Sequence, residues 1–469
     1  MPDAPSKMTI TLRPYQNTLI ERTRANFIAG KRAQLLVLPT GGGKTVCFSY
    51  MASKAVEKNL TVWILAHRVE LLEQISRTLS VFNVAHGMVA PGYLSDRRQK
   101  VQVASVFTMV RRMERYNPPD LIIVDEAHHA ISDSTWGKVI KEFPKAKLLG
   151  VTATPIRLSG EGLGDLFECM VQGPTMRELI ELGALSPYRL FAPAGVDLSG
   201  VHTRMGDFVK SELEAAIDKP SITGDAVSHY LKLANGKRAV AFCVSVAHAN
   251  HVAEQFRAAG ITAQAIDGSM ERGLRQSLLK EFAEGRIQII TSCDLISEGF
   301  DVPSIEAAIL LRPTQSLGLY LQQVGRALRI FDGKTEAIIL DHAGNVKRHG
   351  LPDEEHLWSL TGATKKKSEK KSEVPVKTCG ACFATVAAIA THCSCGYEFP
   401  IVKREVNHVD GELQEIDLKA AAKAKRMEQG RAQTEADLIA IGTARGMKRP
   451  ALWARHVLRA RHAKEARRV

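Results

Sequence analysis

The stretch LLVLPTGGGKT, residues 35–45, joins an apolar run to a glycine-rich turn and then to the start of a helical pattern. Similar apolar runs of four or five residues recur between about residues 10 and 345, separated by segments of helix length. They lie at 34–38, 62–65, 121–124, 148–151, 240–244, 287–290, 308–311 and 337–340. Such runs are typical of parallel strands that are buried on both faces and connected by helices. The predicted fold class is therefore α/β with parallel sheets.

The spacing of these runs indicates two similar α/β domains. The runs pause between about Gly183 and Pro220, and a second series then begins. Later in the chain, a stretch of lysine and serine without apolar anchors predicts a flexible linker. The predicted organisation is a domain at 1–185, an inter-domain connection at 186–220, a second domain at 221–360, a Lys-rich linker at 361–377, a zinc-binding module at 378–400 and a basic helical tail at 401–469.

The composition is that of an ordinary soluble globular protein, with 45% hydrophobic and 24% charged residues in a chain of 469. No apolar run approaches the roughly 18 residues that a membrane span needs. The N-terminus has no hydrophobic signal segment. We therefore expect a cytoplasmic protein with no membrane partner.

The positive charge is concentrated near the C-terminus. The net charge is +13, and residues 365–469 contain 22 lysines and arginines against 12 acidic residues. A basic C-terminal segment attached to domains of nearly neutral net charge is typical of a protein whose main domains are tethered to a polyanion. A solubilising tail explains the charge equally well.

The glycine-rich turn predicts a phosphate site. Gly41, Gly42 and Gly43 let backbone N–H groups close around phosphate oxygens. Lys44 then contacts the β- and γ-phosphates, and the Thr45 hydroxyl is a ligand for Mg²⁺. The strict motif has a further glycine where this chain has leucine at position 38, but the three glycines still supply the turn.

Two adjacent carboxylates end a second apolar run, in LIIVDEAH at 121–128. We predict that Asp125 holds hydrated Mg²⁺ and that Glu126 activates the attacking water, because neighbours along a strand point in different directions. An acidic pair in this position is otherwise a helix cap or a surface turn.

Arg326 and Arg329 lie in QQVGRALR, residues 322–329. Spaced i, i+3, they are predicted to project from one face of a helix, where guanidinium groups suit the charge that develops on a transferring γ-phosphoryl group. Because they follow Lys44 by nearly 300 residues, on the second domain, the site is complete only when the domains close. The alternative is a surface arginine pair that forms ion pairs.

The chain resembles superfamily 2 helicases of the DEAD/DEAH-box type, in particular RadD-like repair ATPases and related phage-encoded helicases. The motifs that carry this resemblance are PTGGGKT at 39–45, DEAH at 125–128, TATP at 152–155 and QQVGRALR at 322–329. The shared stretches extend from LRPYQ at 12–16 to LDHAGN at 340–345. The resemblance implies two tandem RecA-like domains that bind ATP and Mg²⁺ and act on DNA in repair, recombination or phage replication.

The resemblance also implies further site residues. Arg13 and Gln16 match the segment that reads adenine, Thr40 joins the phosphate contacts, and Gln322 belongs to the catalytic motif of the second domain. Gly299 and Asp301 match residues that meet the nucleotide from across the cleft. Contacts with the nucleic-acid backbone are implied for His67, Arg68, Ser105, Thr108, Ser245 and Thr291.

Four cysteines fall in one short window, as CGAC at 379–382 and CSCG at 393–396. Four thiolates are typical of a structural, tetrahedral Zn²⁺ site. Cys379, Cys382 and Cys395 are firm candidates, whereas Cys393 and His392 compete for the fourth position because the second pair is irregularly spaced. Such a module commonly presents a basic surface to nucleic acid or to a partner protein, for example a recombination or replication protein, and the sequence does not choose between them.

The function that these features favour is that of an ATP-dependent DNA helicase or translocase. The same motifs also occur in enzymes that act on RNA, because such enzymes hold mainly the sugar-phosphate backbone. A third hypothesis is a nucleotide-switched DNA clamp or loader that does not unwind.

Overall fold

The computed structural model describes residues 11–157, 160–192, 202–204, 207–209, 212–213, 220–293, 305–361, 376–379, 381–382, 384–399, 432, 434–444, 450–451, 454–455 and 457–458. Residues 1–400 form one unit and residues 401–469 a second. The first unit contains two parallel α/β sheets, as predicted.

The first sheet and its helices form the first lobe. Its strands are β1 (Ala33–Val37), β2 (Val62–Ala66), β3 (His86–Val89), β4 (Val101–Ser105), β5 (Leu121–Asp125), β6 (Lys147–Thr152) and β7 (Cys169–Gln172). They pair in the order β3-β4-β2-β5-β6-β1-β7, all in parallel. The helices are α1 (Pro14–Ile28), α2 (Lys44–Glu57), α3 (Val69–Val81), α4 (Val106–Met109), α5 (Thr135–Glu142) and α6 (Met176–Glu181), with 3₁₀ turns at Met113–Arg115 and Ala127–His129.

The second sheet and its helices form the second lobe. Its strands are β8 (Tyr188–Phe191), β11 (Ala239–Phe242), β12 (Ala263–Ile266), β13 (Ile289–Ser292), β14 (Ala307–Leu310) and β15 (Ala337–Asp341), in the order β12-β13-β11-β14-β15-β8. The helices are α7 (Pro220–Leu233), α8 (Val246–Ala258), α9 (Arg272–Ala283), α10 (Leu317–Ala327) and α11 (Asn345–His349). A short antiparallel pair is formed by β9 (Thr203–Arg204) and β10 (Asp207–Phe208).

The second sheet begins earlier in the chain than predicted. Strand β8 pairs in parallel with β15, with Leu190 opposite Ile339, although it lies in the segment 186–220 that was expected only to connect the domains. The local sequence did not reveal this strand, because β8 is an edge strand with only half of its residues buried. The structure corrects the predicted boundary at this point.

Both sheets are buried on their two faces. All five residues of β1, β2, β4 and β5 are buried, as are all four of β11, β13 and β14. This burial accounts for the continuous apolar runs and contributes to the hydrophobic stabilisation of each lobe.

The lobes contact each other directly. Arg272 and Arg275 of α9 form ion pairs with Glu73 and Glu70 of α3, respectively. The segment after α11 then returns to the first lobe, where Trp358 packs against its core and residue 360 accepts a hydrogen bond from the Gly164 N–H at 2.9 Å. The two lobes are therefore closed on each other.

A small module follows the second lobe. Strands β16 (Val376–Thr378) and β17 (Thr385–Ala387) form an antiparallel hairpin, and the Thr385 hydroxyl accepts a hydrogen bond from the Ala192 N–H at 3.1 Å. In the second unit, helix α12 (Glu435–Ala444) buries Leu438 in a small cluster with Ala454. Among the described residues, no helix is long and apolar enough to span a membrane.

Candidate active site

The glycine-rich turn lies between β1 and α2. Gly43, which caps the N-terminus of α2, has φ +89° in the left-handed region, where a side chain is strained. The Gly42 N–H donates to the Pro39 carbonyl at 3.0 Å and closes the turn. The backbone N–H groups at the start of α2, together with its dipole, make this turn suited to an anion.

Charged groups from both lobes share the electrostatic environment of Lys44. Burial lowers the pKa of the Lys44 ammonium. The carboxylates of Glu126 and Asp125 raise it, whereas the positive charges of Arg326 and Arg329 add to the lowering. The structure therefore brings together the five charged residues that the sequence placed in one site.

The two carboxylates lie where β5 ends. Burial raises the pKa of Asp125 to about 7, and the charge of Lys44 opposes this shift. Glu126 has φ +48°, a conformation rarely adopted by residues other than glycine and found disproportionately at functional sites. Its N–H donates to Asp125 Oδ1 at 3.0 Å, so the turn fixes the two carboxylates relative to each other.

Histidines connect these carboxylates to neighbouring strand ends. His128 Nδ1 lies 3.4 Å from Glu126 Oε2 and 3.0 Å from the Thr152 hydroxyl, which in turn donates to the Thr154 carbonyl. The ring of His129 lies 4.2 Å from that of His128 and 4.5 Å from that of His67. Sequence reasoning missed His129, since only the tertiary fold places its ring between the other two.

The segment that the resemblance assigns to adenine lies against the glycine-rich turn. Gln16 is buried; its Nε2 donates to the Gly42 carbonyl at 3.3 Å, and its Oε1 accepts from the Arg13 N–H at 2.9 Å. The Tyr15 hydroxyl donates to the same Gly42 carbonyl at 2.9 Å. Tyr15 was not predicted, although its position beside Gln16 places it at the site.

The second lobe contributes to the same pocket through α10. A Cβ added at Gly325 would lie 2.7 Å from Thr40 Cβ, so only glycine permits this approach of the two backbones. Arg326 is in the last turn of α10 and is buried, as is Gln322. Arg329 lies two residues beyond the helix end, so the prediction that both arginines project from one helix is wrong for Arg329.

The resulting cavity, which we call the interlobe pocket, encloses about 420 Å³. On the first lobe its lining includes Arg13, Gln16, Thr40, Gly41, Gly42, Gly43, Lys44, Thr45, Asp125 and Glu126, and on the second lobe Arg326, Arg329 and Ile330. This volume suits a small-molecule ligand. Gly299 and Asp301 lie outside the described residues.

The residues assigned to nucleic acid lie at strand ends. His67 and Arg68 follow β2. Ser105 is the last residue of the adjacent strand β4, and Thr108 lies in the short helix α4 that comes next, at the same edge of the first sheet. In the second lobe, the Ser245 hydroxyl caps α8 by accepting from the His248 N–H at 3.0 Å.

Thr291 does not reach a surface. Its side chain is completely buried and its hydroxyl donates to the Ala249 carbonyl at 2.7 Å. The prediction that Thr291 contacts a nucleic-acid strand is therefore wrong. The residue instead joins β13 to α8 within the core.

The four cysteines converge. Their sulfur atoms all lie within 4.8 Å of one another, with Cys379–Cys395 and Cys382–Cys393 separations of 3.6 Å. Thiolates bound to a tetrahedral Zn²⁺ are about 3.8 Å apart, given Zn–S bonds of about 2.3 Å, so the cluster fits this ion.

His392 is not part of the cluster. Its ring Nδ1 lies 2.9 Å from the Thr391 hydroxyl and its Nε2 lies 3.4 Å from Glu398, on a side chain that is 66% exposed. The alternative in which His392 replaces Cys393 as the fourth ligand is therefore wrong.

Comparison with known proteins agrees with this geometry. Residues 9–157 match the family described as type III restriction enzyme, res subunit, and residues 223–331 match the helicase conserved C-terminal domain. A 51.5 kDa protein of a Lactococcus phage is 37% identical over 383 residues, which cover 81% of each chain. The ATP-dependent helicase IRC3 of Saccharomyces cerevisiae is 29% identical, over 71% of this chain but only 51% of its own length.

A solved structure shares the fold. The ATP-dependent type ISP restriction-modification enzyme LlaBIII bound to DNA is 20% identical, with a TM-score of 0.54 over 71% of this chain and 28% of that one. The helicase family matches extend over both lobes, and the phage relative extends over most of the chain. The protein therefore belongs to the superfamily 2 helicases and is an ATP hydrolase.

Proposed function

We propose that the protein is a DNA helicase or translocase that couples ATP hydrolysis in the interlobe pocket to movement along, or remodelling of, DNA. The observation that carries this proposal is that Arg326 and Arg329 of one lobe line the pocket that contains Lys44, Asp125 and Glu126 of the other. A site divided in this way links each hydrolysis event to the relative position of the lobes.

The pocket supplies a distinct group for each requirement of phosphoryl transfer. Lys44 holds the β- and γ-phosphates, and Asp125 with Thr45 holds Mg²⁺, which neutralises phosphate charge when bound. Glu126 accepts the proton of the attacking water. The guanidinium groups of Arg326 and Arg329 stabilise the charge that develops on the transferred phosphoryl group.

The position of the histidine rings supports coupling between hydrolysis and nucleic-acid binding. We place the nucleic-acid backbone against His67, Arg68, Ser105 and Thr108 at the edge of the first sheet. From there, the rings of His67, His129 and His128 form a continuous path to Glu126. We therefore expect a nucleic-acid strand that displaces the His67 ring to change the position of the Glu126 carboxylate, the proposed catalytic base.

Two features favour DNA over RNA as the substrate. The first lobe matches the family of a restriction-enzyme subunit, and a structural neighbour was solved bound to DNA. The excess of basic residues at 365–469 supports binding to a nucleic acid but does not distinguish DNA from RNA.

ATPase measurements with different nucleic acids test this proposal. We expect single-stranded or duplex DNA to stimulate ATP turnover more than RNA of the same length, with stimulation that falls steeply as salt rises, because backbone contacts release counterions. Stimulation by RNA alone would contradict the assignment to DNA. DNA binding without stimulation of ATP turnover would favour a nucleotide-switched clamp. A separate assay of strand displacement on a forked DNA substrate distinguishes unwinding from translocation.

A matched pair of variants localises the DNA surface. Arg68→Ala is expected to raise the DNA concentration needed for half-maximal stimulation by about tenfold to a hundredfold, since a charge-assisted phosphate contact is worth roughly 1.5–3 kcal/mol. The control is Arg24→Ala, on the exposed face of α1, the helix that packs against the outermost strand β7. This variant should not change the DNA concentration needed for half-maximal stimulation. If the two variants required the same DNA concentration for half-maximal stimulation, Arg68 would not be part of the DNA-binding surface.

We also propose that the cysteine cluster holds one structural Zn²⁺. Protein purified without chelator is expected to contain one zinc per chain by elemental analysis. Cys393→Ser should lose most of this zinc, because a tetrahedral site needs all four ligands, whereas His392→Ala should retain it. Well under one zinc per chain in the unmodified protein would contradict the proposal.

A further inference from the structure

The turn that follows α10 carries one of the pocket's two arginines outside regular structure. Helix α10 ends at Ala327, and Arg329 lies two residues further on. Helical hydrogen bonds therefore do not fix the backbone of Arg329. Some other contact has to set the position from which its side chain enters the interlobe pocket.

Lys334 makes such a contact. Its ammonium nitrogen donates to the Arg329 carbonyl at 2.8 Å, to the Ile305 carbonyl at 2.9 Å and to the carbonyl of Ala327. An ammonium has three N–H donors, so these carbonyls use its full capacity. One side chain thus ties together the end of α10, the backbone of Arg329 and Ile305, which lies two residues before β14.

The surroundings of Lys334 show that this arrangement is built into the fold. Gly333 has φ +81°, and the Lys334 N–H donates to the Phe331 carbonyl at 3.2 Å, so a tight turn directs the side chain back toward α10. The Leu328 carbonyl, between the two that Lys334 holds on this turn, accepts from the Ser186 N–H at 2.8 Å. Successive carbonyls at the helix end are therefore satisfied by specific donors.

The charge of Lys334 is suited to this position. The C-terminal end of a helix carries partial negative charge, which favours a cation. Burial works against this charge and lowers the pKa of Lys334 to about 7, whereas the nearby Glu306 carboxylate favours the charged form. Lys237 lies 3.9 Å from the same carboxylate, and within the described part of the chain its ammonium forms no hydrogen bond or ion pair with the turn, which makes it a matched control.

We propose that Lys334 is a positioning residue for ATP hydrolysis: it fixes the turn that presents Arg329 to the interlobe pocket. This inference rests on the role proposed above for Arg329. Lys334 is not among the residues that line the interlobe pocket, and it acts through the backbone of Arg329.

Loss of this contact should affect the transition state more than nucleotide binding. A displacement of about 1 Å at a catalytic group can cost roughly a hundredfold in rate. We therefore expect Lys334→Met, which keeps the length of the side chain but not its donors, to lower kcat about tenfold to a hundredfold. The affinity for ADP should stay within about twofold, because ADP lacks the γ-phosphoryl group that the arginines stabilise.

The test combines five proteins and three measurements. ATPase kcat without nucleic acid, ADP affinity, and affinity for ADP with aluminium fluoride are compared for the wild type, Lys334→Met, Arg329→Ala, the double variant and Lys237→Met. We expect Lys334→Met to weaken aluminium fluoride binding, and to lower kcat no further in the Arg329→Ala background. Lys237→Met should behave as the wild type.

The outcomes are distinguishable. If Arg329→Ala retains full kcat, the proposed role of Arg329 fails and the inference with it. If Arg329→Ala loses activity while Lys334→Met lowers only the melting temperature, or if the two effects multiply in the double variant, Lys334 is merely structural and the inference alone is overturned. Should Lys334→Met not fold, Lys334→Leu, which also lacks donors, is read in the same way.

Discussion

Glu126→Gln is expected to lower ATP turnover by about a hundredfold to ten-thousandfold, the range that a general base contributes. The amide keeps the size of the side chain but cannot accept the proton of the attacking water. Lys44 and the glycine-rich turn are unchanged in this variant, so nucleotide affinity should remain within a few-fold of the wild type. Steady-state ATPase and fluorescent-nucleotide titration measure the two quantities.

Two further variants set the limits of this prediction. Lys44→Ala should lose nucleotide affinity as well as turnover, because it removes the positive charge facing the phosphates. Glu57→Gln, an equivalent change at the exposed end of α2, should leave both unchanged. Full turnover in Glu126→Gln would show that another group is the base.

Arg326→Ala is expected to lower kcat by about a thousandfold, the lower end of the contribution of arginines that reach a transferring phosphoryl group. Arg326 is buried, and its charge influences both Lys44 and Asp125 across the interlobe pocket. ADP affinity should change little, since the charge that Arg326 stabilises develops only during transfer.

The control for Arg326 is an arginine of the same lobe that lies on its surface. Arg286 pairs with Glu284 beside α9, and Arg286→Ala should retain kcat. An Arg326→Ala variant with wild-type kcat would mean that the second lobe adds no essential charge to the site.

The parts of the molecule that local sequence determines were predictable. Each buried parallel strand needs a run of apolar residues, and a turn around phosphate needs glycines followed by a lysine. The α/β class, the two sheets and the convergence of Lys44, Asp125, Glu126 and Arg326 therefore follow from sequence patterns.

Other features depend on contacts between distant segments, which the sequence does not display. Helix periodicity could not reveal that α10 ends at Ala327, because Lys334 and the Ser186 N–H satisfy the following carbonyls. The burial of Thr291 depends on the packing of α8 against β13. Similarly, only the folded module shows that His392 faces Glu398 while Cys393 faces Cys382.

A structure determined with ADP, Mg²⁺ and aluminium fluoride tests the central claim that both lobes act on one phosphoryl group. We predict the fluoride moiety beside Lys44, with the guanidinium of Arg326 or Arg329 within hydrogen-bonding distance, about 3 Å, of a fluorine atom. A bound complex with both guanidinium groups directed away from the fluoride, beyond the reach of a hydrogen bond, would contradict the account.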